Sequence, residues 1–170
     1  MLPRTNVPTD DEVAHESNRE APAVPTVLIV DDARLNVEIL NQILSGEYRT
    51  VRAYDGRQAL ELAMAYQPDI ILLDVVMPKL DGYQVCSILK SDARTRDIPV
   101  IFVTGMDDDD ADQKAFAAGG AGYLTKPFRP EMVLSQVHIH LELQRAKDLL
   151  ATYRDQHAAP ESPADRLRCA

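Results

Sequence analysis

Three carboxylates, one hydroxyl and one lysine stand where apolar runs of this chain end. Asp31 and Asp32 follow Thr26-Val27-Leu28-Ile29-Val30, and Asp74 follows Ile70-Ile71-Leu72-Leu73. Thr104 follows Val100-Ile101-Phe102-Val103, and Lys126 directly precedes Pro127. Acids gathered at one place cannot all stay charged and unpaired, so they require a divalent cation, a lysine, or both. Hard carboxylate oxygens, completed by water, are the ligands that Mg2+ prefers. A carboxylate beside Mg2+ either holds the metal for a substrate or itself attacks phosphorus, giving an acyl phosphate. Lys126 would pair with one oxygen of the transferred group, and Thr104 would donate a hydrogen bond to another. Taken singly, each residue has a plainer reading, since a lone Asp after a strand caps a helix or makes a turn. Taken together, each at a strand end, the five point to one site.

That inference needs elements that bring the strand ends together. Val- and Ile-rich runs predict buried strands at 26–30, 50–53, 69–73, 99–103 and 122–125. Helical spacing fills the segments 34–45, 56–66, 82–91, 109–118 and 130 onward. Leu35, Ile39, Ile43 and Leu44 mark the first helix, and Ala59, Leu60, Ala63 and Met64 the second. Gly46, Pro68 and Gly119-Gly120 are the expected stops. Strand–helix alternation with continuously apolar strands predicts an α/β fold with a parallel sheet covered on both faces. Right-handed crossovers and five strands suit the doubly wound, flavodoxin-like order 2-1-3-4-5. In such a sheet all strands run one way, so their C-terminal ends share one edge.

The last helix continues beyond what the sheet requires. Met132, Gln136, Ile139, Leu143, Ala146, Leu150 and Tyr153 alternate spacings of four and three, a heptad-like stripe with Gln136 as its polar member. Val133 and Val137 are available for the sheet, and the stripe predicts a partner helix or a homodimer. The domain layout expected is a Pro-containing acidic, disordered tail over 1–25, a folded domain over 26–145, a helical extension over 146–158 and a disordered tail over 159–170.

The 170 residues carry a formal charge of −9. That balance argues against nucleic acid, whose binding needs a basic stripe to displace counterions. No apolar run approaches the length of a membrane span, and the N-terminus lacks a secretory h-region, so no membrane partner is expected. Cys86 and Cys169 lie far apart without metal-ligand spacing, and a reduced, cytoplasmic protein fits best. The acidic cluster Asp10-Asp11-Glu12 reads as solvated.

Four segments carry a family resemblance: V-L-I-V-D-D, I-I-L-L-D-V-V-M-P-K-L-D-G-Y, P-V-I-F-V-T-G and G-Y-L-T-K-P-F. Over roughly residues 25–145 the chain resembles the receiver domain of two-component response regulators, and Asp74 and Thr104 stand 30 residues apart as that pattern asks. The resemblance implies Asp74 as phosphoacceptor and Asp31 and Asp32 as the Mg2+ pair, with Asp32 the direct ligand. It also implies the Val76 carbonyl as a further ligand, Lys126 as partner of Asp74 and the phosphoryl group, and Thr104 with Tyr123 as a switch pair. Lys126–Pro127 would be cis. A sensor histidine kinase or phosphotransfer protein, or a small phosphodonor, would supply the phosphoryl group. The chain would not be an enzyme beyond self-phosphorylation and slow self-dephosphorylation. Its output would be a changed surface toward another protein, including homodimerisation through the 130–157 helix and the face of helix 4, strand 5 and helix 5.

Departures from the pattern carry expectations of their own. Gly122 replaces the Asp that many receivers have before the aromatic switch residue, and Gly119-Gly120-Ala121-Gly122 predicts a looser loop and an easier switch. Val76 and Met106 neither orient nor activate water, which predicts a long-lived phosphoryl group. Asp107 to Asp110 suit a helix N-terminus. His138 and His140 read as surface or packing residues. Two other functions compete. One is a receiver piece of a larger regulator with a cyclic-dinucleotide or kinase output domain, since the final helix is similar to linkers of that kind. The other is an aspartate-nucleophile phosphatase, which would want Asp-x-Asp after strand 1, whereas Asp31 and Asp32 are adjacent. A nucleotide-binding enzyme lacks its glycine-rich phosphate loop.

Overall fold

The computed structural model describes residues 23–105 and 111–157, with the backbone alone at 111 and 112. Met106, the Asp107–Asp110 run, Cys169 and Asp10-Asp11-Glu12 lie outside the described residues. Five β-strands alternate with five α-helices: β1 Thr26–Val30, α1 Arg34–Leu44, β2 Arg49–Ala53, α2 Gly56–Tyr66, β3 Ile70–Asp74, α3 Gly82–Ser91, β4 Val100–Thr104, α4 Ala111–Ala117, β5 Gly122–Thr125 and α5 Pro130–His157. All pairings are parallel and the order is β2-β1-β3-β4-β5. The predicted doubly wound, flavodoxin-like sheet is therefore the observed one.

Side chains alternate across each strand, so the sheet faces two cores. Leu28, Val30, Ile71, Leu73, Val100 and Phe102 face one core, closed by α2 and α3 through Ala59, Ala63, Val85 and Leu89. Val27, Ile29, Ile70, Leu72, Ile101 and Val103 face the other, closed by α1 and α5 through Val37, Leu40, Leu44, Val133, Val137 and Leu141. In α1 the predicted face needs correction: Leu35 is 71% exposed, and the buried set is Val37, Leu40 and Leu44. Those three keep to one side at spacings of three and four, a side that Leu35 leaves.

Helix ends obey local chemistry. Asp55 accepts the Gln58 N–H at the start of α2, and Asp81 forms a reciprocal capping box with Gln84 on α3. The stop of α2 is Gln67, left-handed at φ 46, just before the predicted Pro68. Gly119 follows α4 at φ 84, as its type allows. Two glycines at the start of β5 stand close to side chains of other elements. A Cβ on Gly120 would lie 2.5 Å from Phe102 Cε2, and one on Gly122 would lie 2.8 Å from His140 Nε2. The His140 ring of α5 thus stands over Gly122.

Candidate functional site at the C-terminal edge of the sheet

Strand register builds the site. Val30 pairs with Leu73, so Asp31 leaves β1 alongside Asp74, the last residue of β3. Thr104 ends β4 opposite Thr125, and Lys126 follows at once. The Lys126 backbone N–H donates to the Thr104 carbonyl at 2.8 Å, and the Lys126–Pro127 peptide is cis. From there the long side chain crosses β4 to reach the acids. Its Nζ lies 2.8 Å from Asp31 Oδ2 and 2.8 Å from Asp74 Oδ1.

Asp31 and Asp74 are buried, whereas Asp32 is exposed. Asp31 is held from several sides: the Ala33 N–H donates to Oδ1 at 2.8 Å and Asn36 Nδ2 to Oδ2 at 2.9 Å. Burial pushes the Asp74 carboxyl above its ordinary value, the Lys126 hydrogen bond works against this, and the Asp31 charge adds to it. For Lys126, burial disfavours the ammonium, but the hydrogen bonds it donates to Asp31 and Asp74 outweigh it and leave the pKa raised. Lysine therefore remains fully charged and supplies one positive charge to a place holding three acids.

One charge does not neutralise three. Among the described residues, Asp31, Asp32 and Asp74 each offer a carboxylate oxygen within 4.8 Å of the others. Oxygens around an octahedral Mg2+ stand about 3–4 Å apart, so the donor set fits a small hard cation. Among the described residues Asp32 has no hydrogen-bond or ion-pair partner, so this solvent-facing carboxylate can bind such a cation without first giving one up.

The sheet edge thus brings together Asp31, Asp32, Asp74 and Lys126. Thr104 is buried at the same edge, but its hydroxyl donates to the Gly105 carbonyl at 3.2 Å. Tyr123 stands on β5 in register with Phe102 and is 44% exposed. Val76 follows Asp74 in the loop and is also exposed. His138 is exposed, and His140 packs against Gly122. Sequence reasoning missed Asn36, which braces Asp31 from the first turn of α1. It also missed Gly82, where a Cβ would collide with the Asp74 carbonyl oxygen and sit 2.9 Å from Val75 Cα. The Asp-Gly pair at a predicted helix start was the available signal for Gly82. Asn36 had none beyond its distance from Asp31.

A family model for the response regulator receiver domain matches residues 27–138. The chain belongs to the response regulator receiver family. DivK of Brucella anthropi, a polar-differentiation response regulator, is 32% identical to this receiver over 117 residues, covering 68% of this chain and 95% of its own. A Vibrio cholerae serotype O1 protein named "Probable cyclic di-GMP phosphodiesterase" is 40% identical over 130 residues, which cover 76% of this chain and 30% of that one. The receiver thus spans less than a third of the length of the latter relative. Among solved structures, the chemotaxis protein CheY4 of Vibrio cholerae superposes with a TM-score of 0.65 at 30% identity, covering 68% of this chain and 98% of that one. Among the described residues no helix is long and apolar enough to cross a membrane.

Proposed function

We propose that this receiver accepts a phosphoryl group on Asp74 from a cytoplasmic histidine kinase or phosphotransfer protein, with Mg2+ as cofactor. The observation that carries this reading is the Lys126 ammonium shared between Asp74 and Asp31 beside the exposed Asp32. Asp32 and Asp74 would hold the metal with Asp31 and the Val76 carbonyl, and Mg2+ when bound neutralises oxygens of the transferring group. An Asp74 carboxylate oxygen forms the new O–P bond as the donor's P–N bond breaks, and the donor imidazole keeps that electron pair and gains a proton. Lys126 moves from Asp74 to a phosphoryl oxygen. Thr104 releases the Gly105 carbonyl and donates to a second phosphoryl oxygen, and Tyr123 turns into the space it vacates. Phosphate contacts exist only in that arrangement, so phosphorylation shifts the population toward it. The receiver proper spans 26–145, and the helix beyond it is an extension.

The surface so changed runs over α4, β5 and α5, where Phe116, Tyr123 and Met132 are exposed. We read its output as contact with another protein, including a second copy of this chain. Incubation with Mg2+ and acetyl phosphate, followed by mass spectrometry, tests the acceptor. Wild type should gain one phosphoryl group and Asp74→Asn none. A group retained by Asp74→Asn would overturn the assignment. The length of the cyclic di-GMP relative supports a second reading, in which this chain is the receiver part of a regulator with a cyclic-dinucleotide output domain.

A further inference from the structure

Helix α5 runs for 28 residues, but its buried side chains stop at Leu141. Val133, Val137 and Leu141 face the sheet at spacings of four. The stripe Met132, Gln136, Ile139, Leu143, Ala146, Leu150 and Tyr153 lies on the far side, roughly 150° around the helix at 3.6 residues per turn. Its large apolar members are about half exposed: Met132 51%, Ile139 52%, Leu143 49%, Leu150 63% and Tyr153 59%. The stripe covers three heptads, about 33 Å of helix. An apolar seam of that length facing solvent is the form of half a coiled coil.

The charges flanking the seam select the occupant and its direction. With Leu143 and Leu150 at the first core position of their heptads, one flank carries His140, Lys147 and Arg154, and the other Ser135, Glu142 and Leu149. In an antiparallel pair, like flanks face each other, and Lys147 and Arg154 would face the basic flank of the second copy. In a parallel pair, each flank faces the opposite one, five residues on. Glu142 then meets the Lys147 of the second copy, twice per dimer. Glu142 is half exposed and already bridges Arg145 of its own helix at 2.6 Å, which leaves its second oxygen for a partner.

We infer that the occupant of this seam is a second copy of the chain, joined as a parallel, in-register, two-stranded coil over 132–153 with Glu142–Lys147 pairs across it. This rests on the reading above that α5 is a self-association surface, and adds its direction and register. A parallel coil sets the two sheets side by side at one end of the helices and directs both C-termini the same way.

The test uses the full chain with Cys169→Ser, so that introduced thiols act alone beside the buried Cys86. Ala146→Cys and Tyr153→Cys are oxidised separately, with and without Mg2+ and acetyl phosphate, and molar mass is read by light scattering. A disulfide-linked dimer from both variants supports the inference, since an antiparallel pair brings like residues together near one point only. A doubled mass without both cross-links overturns the parallel register and leaves self-association standing. A monomer mass in both states overturns self-association as well. Glu142→Lys should weaken the dimer about tenfold through two like-charge contacts, and adding Lys147→Glu should restore it. Failure of the double variant to recover, with helicity unchanged by circular dichroism, would also overturn the pairing.

Discussion

Replacing Asp74 by Asn should make the metal-free protein more stable at neutral pH. Coulomb terms for the Asp74 charge nearly cancel. Oxygens of Asp31 and Asp32 within 4.8 Å each repel it by about 3.5 kcal/mol or more at an effective dielectric of 20, and Lys126 at 2.8 Å attracts it by about 6 kcal/mol. What remains is the cost of burying a carboxylate, several kcal/mol for a fully enclosed ion and less at a sheet edge open on one side. Asn keeps an acceptor for Lys126 and sheds the charge. The expected gain is about 2 kcal/mol in EDTA at pH 7, or a rise of about 1 M in the urea midpoint by circular dichroism. The sign with pH follows from linkage. The folded carboxyl has a raised pKa, so the folded state holds its proton more tightly and wild-type stability falls as pH rises toward that value. The advantage of Asn should therefore vanish near pH 4 and be complete where wild-type Asp74 is ionised. Mg2+ at 100 times its dissociation constant adds about 2.7 kcal/mol to wild type and less to the variant, so the gap should close or reverse. An Asp74→Asn protein less stable than wild type in EDTA at pH 7 would refute the picture of a strained acidic cluster.

Three further predictions rest on single contacts. Lys126→Met leaves Asp31 and Asp74 without their shared ammonium and should cost about 2–3 kcal/mol in EDTA, below the full cost of breaking a buried pair because Lys126 is partly exposed; equilibrium urea denaturation should show Mg2+ recovering much of it. Gly120→Ala should lower stability by about 2 kcal/mol in thermal or urea unfolding, because its Cβ meets the Phe102 ring at 2.5 Å and the Ala115 carbonyl at 2.9 Å. Val76→Asn, which places a polar group in an exposed position two residues past the acceptor, should shorten the phosphoryl lifetime by about tenfold, roughly 1.4 kcal/mol of barrier, in a decay assay of labelled protein; an unchanged lifetime would count against Val76 governing water access.

The three central strands were the most legible elements, because β1, β3 and β4 are buried on both faces and read as continuous apolar runs. Observed and predicted bounds agree at β1 and β5 and differ by a residue elsewhere, as at β3, which begins at Ile70 and takes in Asp74. The face of α1 was harder. Leu35 and Ile39 are apolar at helical spacing, yet Val37, Leu40 and Leu44 point to the sheet, and only the docking angle decides between such stripes. The glycines near β5 pose a related question, because a glycine in sequence does not say whether it frees the backbone or admits a neighbour. Here Phe102 and His140, 18 residues away in sequence on either side, fill the space.

By itself the sequence determined that acids, a hydroxyl and a lysine end different strands, and that parallel strands deliver them to one edge, since strand direction and crossover hand leave little choice. It also determined the heptad stripe of α5, a property of spacing alone. Only the tertiary structure decided which oxygen meets which nitrogen. The register of β1 against β3 puts Asp31 beside Asp74, and the span across β4 lets one ammonium serve both. Asn36 and the Ala33 N–H occupy Asp31 while Asp32 stays open to solvent, a difference between adjacent and identical residues that no local pattern encodes. Burial and pairing depend on neighbours distant in the chain, and that is why they belong to the fold.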